Sequence, residues 1–188
     1  MRWRVRAGYP VAIIYWLLAR PSPRSILWGA MIAAVGLVVR AAASGHLRKD
    51  RELATGGPYA HTRNPLYLGS ALLAAGFVVA GRSAWAGVLV TGFFAAFYYA
   101  VMRNEESDLR ERFGEAFDKY AKRVPFFFPS GTSRVGGSVS SADGAEAVAS
   151  KFSWAQYGRN REYKALIGTI AGLGILWLRM ALRNRLGY

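Results

Sequence analysis

Tyr59, Arg63, Asn64 and Tyr67 lie close together in the stretch TGGPYAHTRNPLYLG, residues 55–69. Glu105 and Glu106 stand side by side further on, in RNEESDLRERF, residues 103–113. A carboxylate, a guanidinium, an amide and two phenols suit a small zwitterionic ligand with an aromatic part. Glutamate can pair an ammonium, tyrosine can face a ring or a sulfonium, and backbone N–H groups at a helix start can hold a carboxylate. Gly56 and Gly57 let the backbone approach such a ligand closely. Adjacent carboxylates point to different helix faces, so Glu105 and Glu106 do not form a glycosidase pair. Taken alone, they also fit a solvated pair facing Arg103, Arg110 or Arg112. Other chemistries find less support. There is no cysteine, which excludes thiol catalysis and thiolate metal sites. His46 and His61 alone argue against a histidine zinc site, and no metal site is expected. No nucleophile elbow surrounds a serine, and no GxxxxGK[ST] phosphate loop occurs. His61 is expected to be solvated, with a place at the pocket rim as the alternative.

The elements that carry these residues are apolar. Of 188 residues, 53% are hydrophobic and 19% charged, and the apolar residues are blocked together as membrane spans are. The net charge of +14 would suggest nucleic acid on a soluble protein. Here the basic residues flank apolar runs, where they anchor helix ends against anionic head groups. The sequence therefore predicts an all-α, polytopic membrane bundle of about five membrane helices plus a cytosolic amphipathic helix, with no nucleic-acid partner.

The runs are 7–19 (a short helix, read as retained because no small-x-small cleavage site follows), 25–43, 65–80, 84–102 and 165–178. Arg40 lies inside the second run and either snorkels to the surface or faces the pocket. Asn64-Pro65 reads as a helix start, and the small residues of 65–80 admit a close helix neighbour. The short turn Gly81-Arg82-Ser83 makes the third and fourth spans a hairpin that returns Arg103 to the side of Arg63. Leu109, Phe113, Phe117, Tyr120 and Val124 recur at helical spacing over 105–124, an amphipathic helix ended by Pro125. Phe126, Phe127 and Phe128 then anchor in the head-group zone or close over a lipophilic substrate. The aromatic fourth span is expected to serve packing and lipid contact. Residues 130–150 read as a flexible linker. Gly168 and Gly172 give a weak helix-packing signal in the last span. The division expected is 1–43, membrane helices; 44–129, core; 130–150, linker; 151–188, last helix. Loop charge places the polar stretches in the cytoplasm.

The stretch LATGGPYAHTRNPLYLG (53–69), followed after the hairpin by NEESDLRERFGEAFDKYAKRVP (104–125), resembles the isoprenylcysteine carboxyl methyltransferase family, which is related to the membrane phospholipid N-methyltransferases. The resemblance covers about half of the chain. It implies a multi-span enzyme binding S-adenosylmethionine at the cytosolic face and methylating a lipophilic or small acceptor (a carboxylate, amine or thiol). By position, it implies cofactor contacts from Leu53, Ala54, Tyr59, Arg63, Asn64, Pro65, Leu66, Tyr67 and Glu105, and catalytic places for Arg103 and Glu106. Asn64 replaces the family's usual histidine, keeping hydrogen bonding but no proton-transfer role. The substrate arginine of the prenylcysteine enzymes is missing near Val101, with Arg103 the nearest candidate. Two alternatives stand beside this reading. One is a sterol-reductase-like enzyme using NADPH, with Arg48, Lys49 and Arg51 near a 2′-phosphate. The other is a non-catalytic scaffold.

Overall fold

Prolines and small capping side chains set where the helices begin. The computed structural model describes residues 2–48, 53–129 and 151–186. Among them lie six α-helices and no strand: α1 (Arg2–Leu18), α2 (Pro23–His46), α3 (Pro65–Gly81), α4 (Ala84–Arg123), α5 (Trp154–Arg159) and α6 (Tyr163–Leu186). Pro23 and Pro65 each occupy a first helical position, where the missing N–H costs nothing. Ser22 and Ser25 cap α2 reciprocally: the Ser25 N–H donates to Ser22 Oγ at 3.2 Å and the Ser22 N–H to Ser25 Oγ at 2.9 Å. Ser83 Oγ accepts from the Ala86 N–H at the start of α4, 3.3 Å away.

Two boundaries differ from the sequence reading. The chain stays helical from the apolar run of α4 into its charged part, because nothing in 103–113 breaks a helix. The backbone departs from helical geometry only at Gly114, with φ 49° and ψ −124°. The last apolar run, 165–178 in the sequence reading, is part of a longer helix, Tyr163–Leu186. Among the described residues, three helices are long and apolar enough to cross a membrane, Pro23–His46, Ala84–Arg123 and Tyr163–Arg185, and Gly8–Leu18 and Pro65–Gly81 are shorter apolar helices. The architecture is that of a helical membrane bundle.

The chain forms two compact units, Met1–Leu37 with Ser70–Tyr99 and Lys164–Tyr188, and Val38–Gly69 with Ala100–Tyr163. The first is built on small-residue contacts. A Cβ on Gly29 would collide with the Gly76 carbonyl and Ala80, and one on Gly76 with Ala33, so α2 and α3 meet backbone to backbone. Gly172 receives the Phe77 ring, whereas Gly168 meets nothing, so only half of the expected glycine pair packs. Arg179 of α6 donates to the carbonyls of Ala19 and Leu17, both at 3.0 Å, and its guanidinium stacks over Trp16. It thereby satisfies carbonyls that the end of α1 leaves without helical partners. Trp85, Val88, Ile170 and Trp177 are exposed on the surface of this unit, as lipid-facing side chains are. The second unit holds the polar stretches.

Candidate functional site

Pro125 cannot continue α4, and the chain after it turns back on the loop before α3. The Arg63 N–H donates to Pro125 O at 3.0 Å, Asn64 Nδ2 to Phe126 O at 2.9 Å and Thr62 Oγ1 to Phe127 O at 2.8 Å. Asn64 stands where a cap is expected, directly before Pro65, and its amide nitrogen holds this strap. The Arg63 guanidinium also lies over the Phe126 ring. Phe126 and Phe127 are half-buried and Phe128 is 79% exposed.

The amphipathic pattern of α4 explains why the loop stays there. Phe117, Tyr120 and Val124 form a buried cluster with Leu53, joined by Leu109 and Phe113. Tyr120 reaches further, its hydroxyl donating to Tyr59 O at 2.7 Å in a buried bond. Removing that hydroxyl leaves the carbonyl without its donor, so Tyr120→Phe is expected to destabilise the protein by about 1–3 kcal/mol. Thermal unfolding of the two proteins in one detergent checks this, and equal midpoints would show that the bond contributes nothing.

Gly57 opens the 3-10 turn Gly57–Ala60 at φ 56°, and a Cβ there would sit 2.6 Å from His46 Nε2. The turn thus lies flat on the imidazole at the end of α2. It delivers Tyr59 into a buried cluster with Ala43 and Ala54, packed by Leu47 and Leu66. Burial pushes the Tyr59 phenol well above the usual tyrosine range, and the Tyr120, Glu105, Glu162 and Tyr67 side chains add to the shift. The ring is therefore a neutral, apolar-walled surface with carboxylates nearby.

The charged groups divide as the two helix faces require. Glu105 is exposed and accepts the Tyr67 hydroxyl at 2.6 Å. Glu106, 6% exposed, lies 2.7 Å from Arg63 Nη1 and 3.4 Å from Arg103 Nη1. The contact with Arg63 is close but poorly angled. Glu106 Oε1 and Arg63 Nε are both buried without a directed hydrogen bond, so charge holds this pair more than geometry does. Arg103 is 60% exposed.

The structure thus gathers Tyr59, Arg63, Asn64, Pro65, Leu66, Tyr67, Arg103, Glu105 and Glu106 into one unit, with Ala54 beside Tyr59 and Leu53 in the cluster beneath. Arg40 is held by protein partners. Its Nε and Nη2 donate to the two oxygens of Glu162 at 2.9 and 2.8 Å, and its Nη1 donates to Leu66 O at 3.3 Å. Sequence reasoning missed Glu162, although it is the single acidic residue after Lys151. It also missed His46, which carries no local motif. Lys49, Arg51 and the expected linker at 130–150 lie outside the described residues. Among the described residues, no group of three or more His, Asp or Glu side chains is placed to hold a metal ion.

The phospholipid methyltransferase family model matches residues 25–116, from α2 through the loop and the α3–α4 hairpin to the glutamate pair and beyond. Over that stretch, just under half of the chain, the protein is similar to the phospholipid methyltransferases. The match ends before Phe117 and before α5. Two curated relatives resemble a shorter part. The nickel-cobalt-cadmium resistance protein NccN of Alcaligenes xylosoxydans xylosoxydans is 40% identical over 82 residues, and the cobalt-zinc-cadmium resistance protein CzcN of Cupriavidus metallidurans is 39% identical over 82 residues. Each match covers 44% of this chain and 38% of the relative, so the chain spans well under half the length of these relatives in the match. No solved structure matches the chain significantly.

Proposed function

We propose that this chain is a membrane methyltransferase that uses S-adenosylmethionine, bound in the second unit at the cytoplasmic face, to methylate a lipophilic or small acceptor. One observation carries the reading: the Tyr67–Glu105 hydrogen bond and the Arg63–Glu106 ion pair flank the start of α3, beside the buried ring of Tyr59. The donor set fits the cofactor. The positive end of α3 suits its carboxylate. Glu105, exposed and ionisable, suits its ammonium. Tyr59 presents a neutral ring to its adenine or sulfonium. When bound, S-adenosylmethionine supplies an electrophilic methyl group on a positively charged sulfur.

The chain's own residues then align and shield. Tyr59, Leu66 and Ala54 exclude water from one side. Glu106 holds Arg63 and Arg103 in place, and Arg103, reaching out to solvent, meets an acidic group on the acceptor. In-line displacement demands alignment above all. A carboxylate acceptor needs no base, since opposite charges neutralise as the methyl moves. An amine or thiol acceptor must also give up a proton, and Glu105 is an exposed carboxylate of the site that can take it.

Labelling with radioactive S-adenosylmethionine under ultraviolet light tests the site. Wild type is expected to label and to be protected by S-adenosylhomocysteine. Glu105→Gln removes the charge that faces the ammonium, a contact of about 1.5–3 kcal/mol, and so weakens protection roughly tenfold or more. Equal protection of both proteins would remove Glu105 from the site.

A further inference from the structure

The residues just before α6 lie outside the stretch matched by the family, yet they are bound to the core by a dense set of contacts. Phe152 fills the space over Gly45 so closely that a Cβ there would overlap its ring. The Ser153 N–H donates to Gly45 O at 3.0 Å. Gln156 Nε2 donates to Leu47 O at 2.7 Å, and Asn160 Nδ2 to Ser44 O and Leu47 O at 2.9 and 3.1 Å. These donors tie the segment to carbonyls at and just beyond the end of α2, where the helical ladder runs out of partners. The segment so docked ends at Glu162, whose two oxygens take Arg40 in the bidentate manner that fixes a guanidinium in one orientation. In that orientation, the remaining Arg40 nitrogen donates to Leu66 O in the first turn of α3.

We infer that Glu162 is a positioning residue: acting through Arg40, it fixes the Leu66 carbonyl and with it the turn 64–67 that receives the cofactor. The docked segment 151–162 is therefore part of the site and not a tether for the last helix. Two features set this chain of contacts apart from an ordinary buried ion pair. Glu162 and Arg40 are 12% and 21% exposed, so the pair is shielded enough to hold one geometry. Its outlet is a backbone atom of the turn itself, which a side-chain substitution at Leu66 cannot remove. The role assigned to the turn rests on the cofactor reading above, whereas the mechanical link from Glu162 to Leu66 does not.

The test is amide hydrogen exchange across residues 62–70 of the full chain in detergent, with S-adenosylhomocysteine titration of the same samples. Glu162→Ala is expected to speed exchange across 62–70 while leaving 110–120 unchanged, and to weaken S-adenosylhomocysteine roughly tenfold. Arg40→Met with Glu162→Met replaces the pair by apolar side chains, a change that buried ion pairs often tolerate. It is expected to regain thermal stability while exchange and affinity stay at the Glu162→Ala level, because the guanidinium that donates to Leu66 O is gone. Unchanged exchange across 62–70 in Glu162→Ala overturns the inference. So does a double variant in which exchange recovers along with stability, since the pair would then be structural only. If wild type binds no S-adenosylhomocysteine, the cofactor reading fails by itself and the exchange data alone decide the link.

Discussion

Glu106→Ala is expected to abolish methyl transfer and to lower stability by about 3–5 kcal/mol, the cost of leaving a buried charge without its partner. Arg63, 15% exposed, has Glu106 as its counter-ion at 2.7 Å, and Arg103 has it at 3.4 Å. Without the carboxylate, Arg63 must find water or swing away. The loop that it anchors, through its own N–H to Pro125 O, would follow. Because a misplacement of about 1 Å can cost roughly a hundredfold in rate, the loss of activity is expected to exceed what unfolding explains. Arg63→Leu with Glu106→Leu separates the two effects. Apolar replacement of both charges is expected to return most of the stability, while transfer stays lost. Thermal unfolding and transfer of a radioactive methyl group to a membrane lipid extract, measured on the three proteins, check this. Full activity in the double variant would show that the pair serves the fold alone.

The second large effect is expected at Gly57. Alanine there must adopt φ near 56°, which costs about 1–2 kcal/mol for a residue with a Cβ. Its Cβ would also strike His46, and the imidazole has little room to retreat. Nδ1 of His46 lies 2.7 Å from Ala42 O, and the ring meets the edge of Phe152. The 3-10 turn is then expected to lift, carrying Tyr59 out of its cluster. Gly57→Ala should lose both stability and S-adenosylhomocysteine affinity. Adding His46→Ala removes the collision but not the backbone cost, so it is expected to recover part of the loss and no more. Complete recovery would mean that φ is not constrained. No loss in Gly57→Ala would mean that the turn does not rest on His46.

Much of this arrangement is legible in the sequence, for physical reasons. A three-residue turn between two apolar runs of similar length permits little except a hairpin, and a hairpin brings the chain after Met102 back towards Arg63. The 3.6-residue period of Leu109, Phe113, Phe117 and Tyr120 marked the face that packs under the loop. Adjacency alone required Glu105 and Glu106 to part, one to Tyr67 and one to Arg63. What escaped was carried by backbone atoms or by distance along the chain. The rings of Phe126 and Phe127 read as head-group anchors or as a cover over a lipophilic substrate, but that their carbonyls hold Asn64 and Thr62 was not readable, because a carbonyl leaves no mark on sequence. Arg40 and Glu162 are 122 residues apart, with most of the chain between them. A lone arginine in an apolar run shows that a partner is wanted but not where it lies. His46 was weighed only as a metal ligand, because a flat surface for Gly57 leaves no periodic signal in sequence.

Whether the site takes S-adenosylmethionine is decided by calorimetric titration of the detergent-purified wild-type chain with S-adenosylhomocysteine, and with NADPH in parallel. Saturable heat is expected with S-adenosylhomocysteine and none with NADPH. Binding of NADPH alone would contradict it and move the chemistry of the Tyr59, Arg63 and Glu105 site from methyl transfer to reduction.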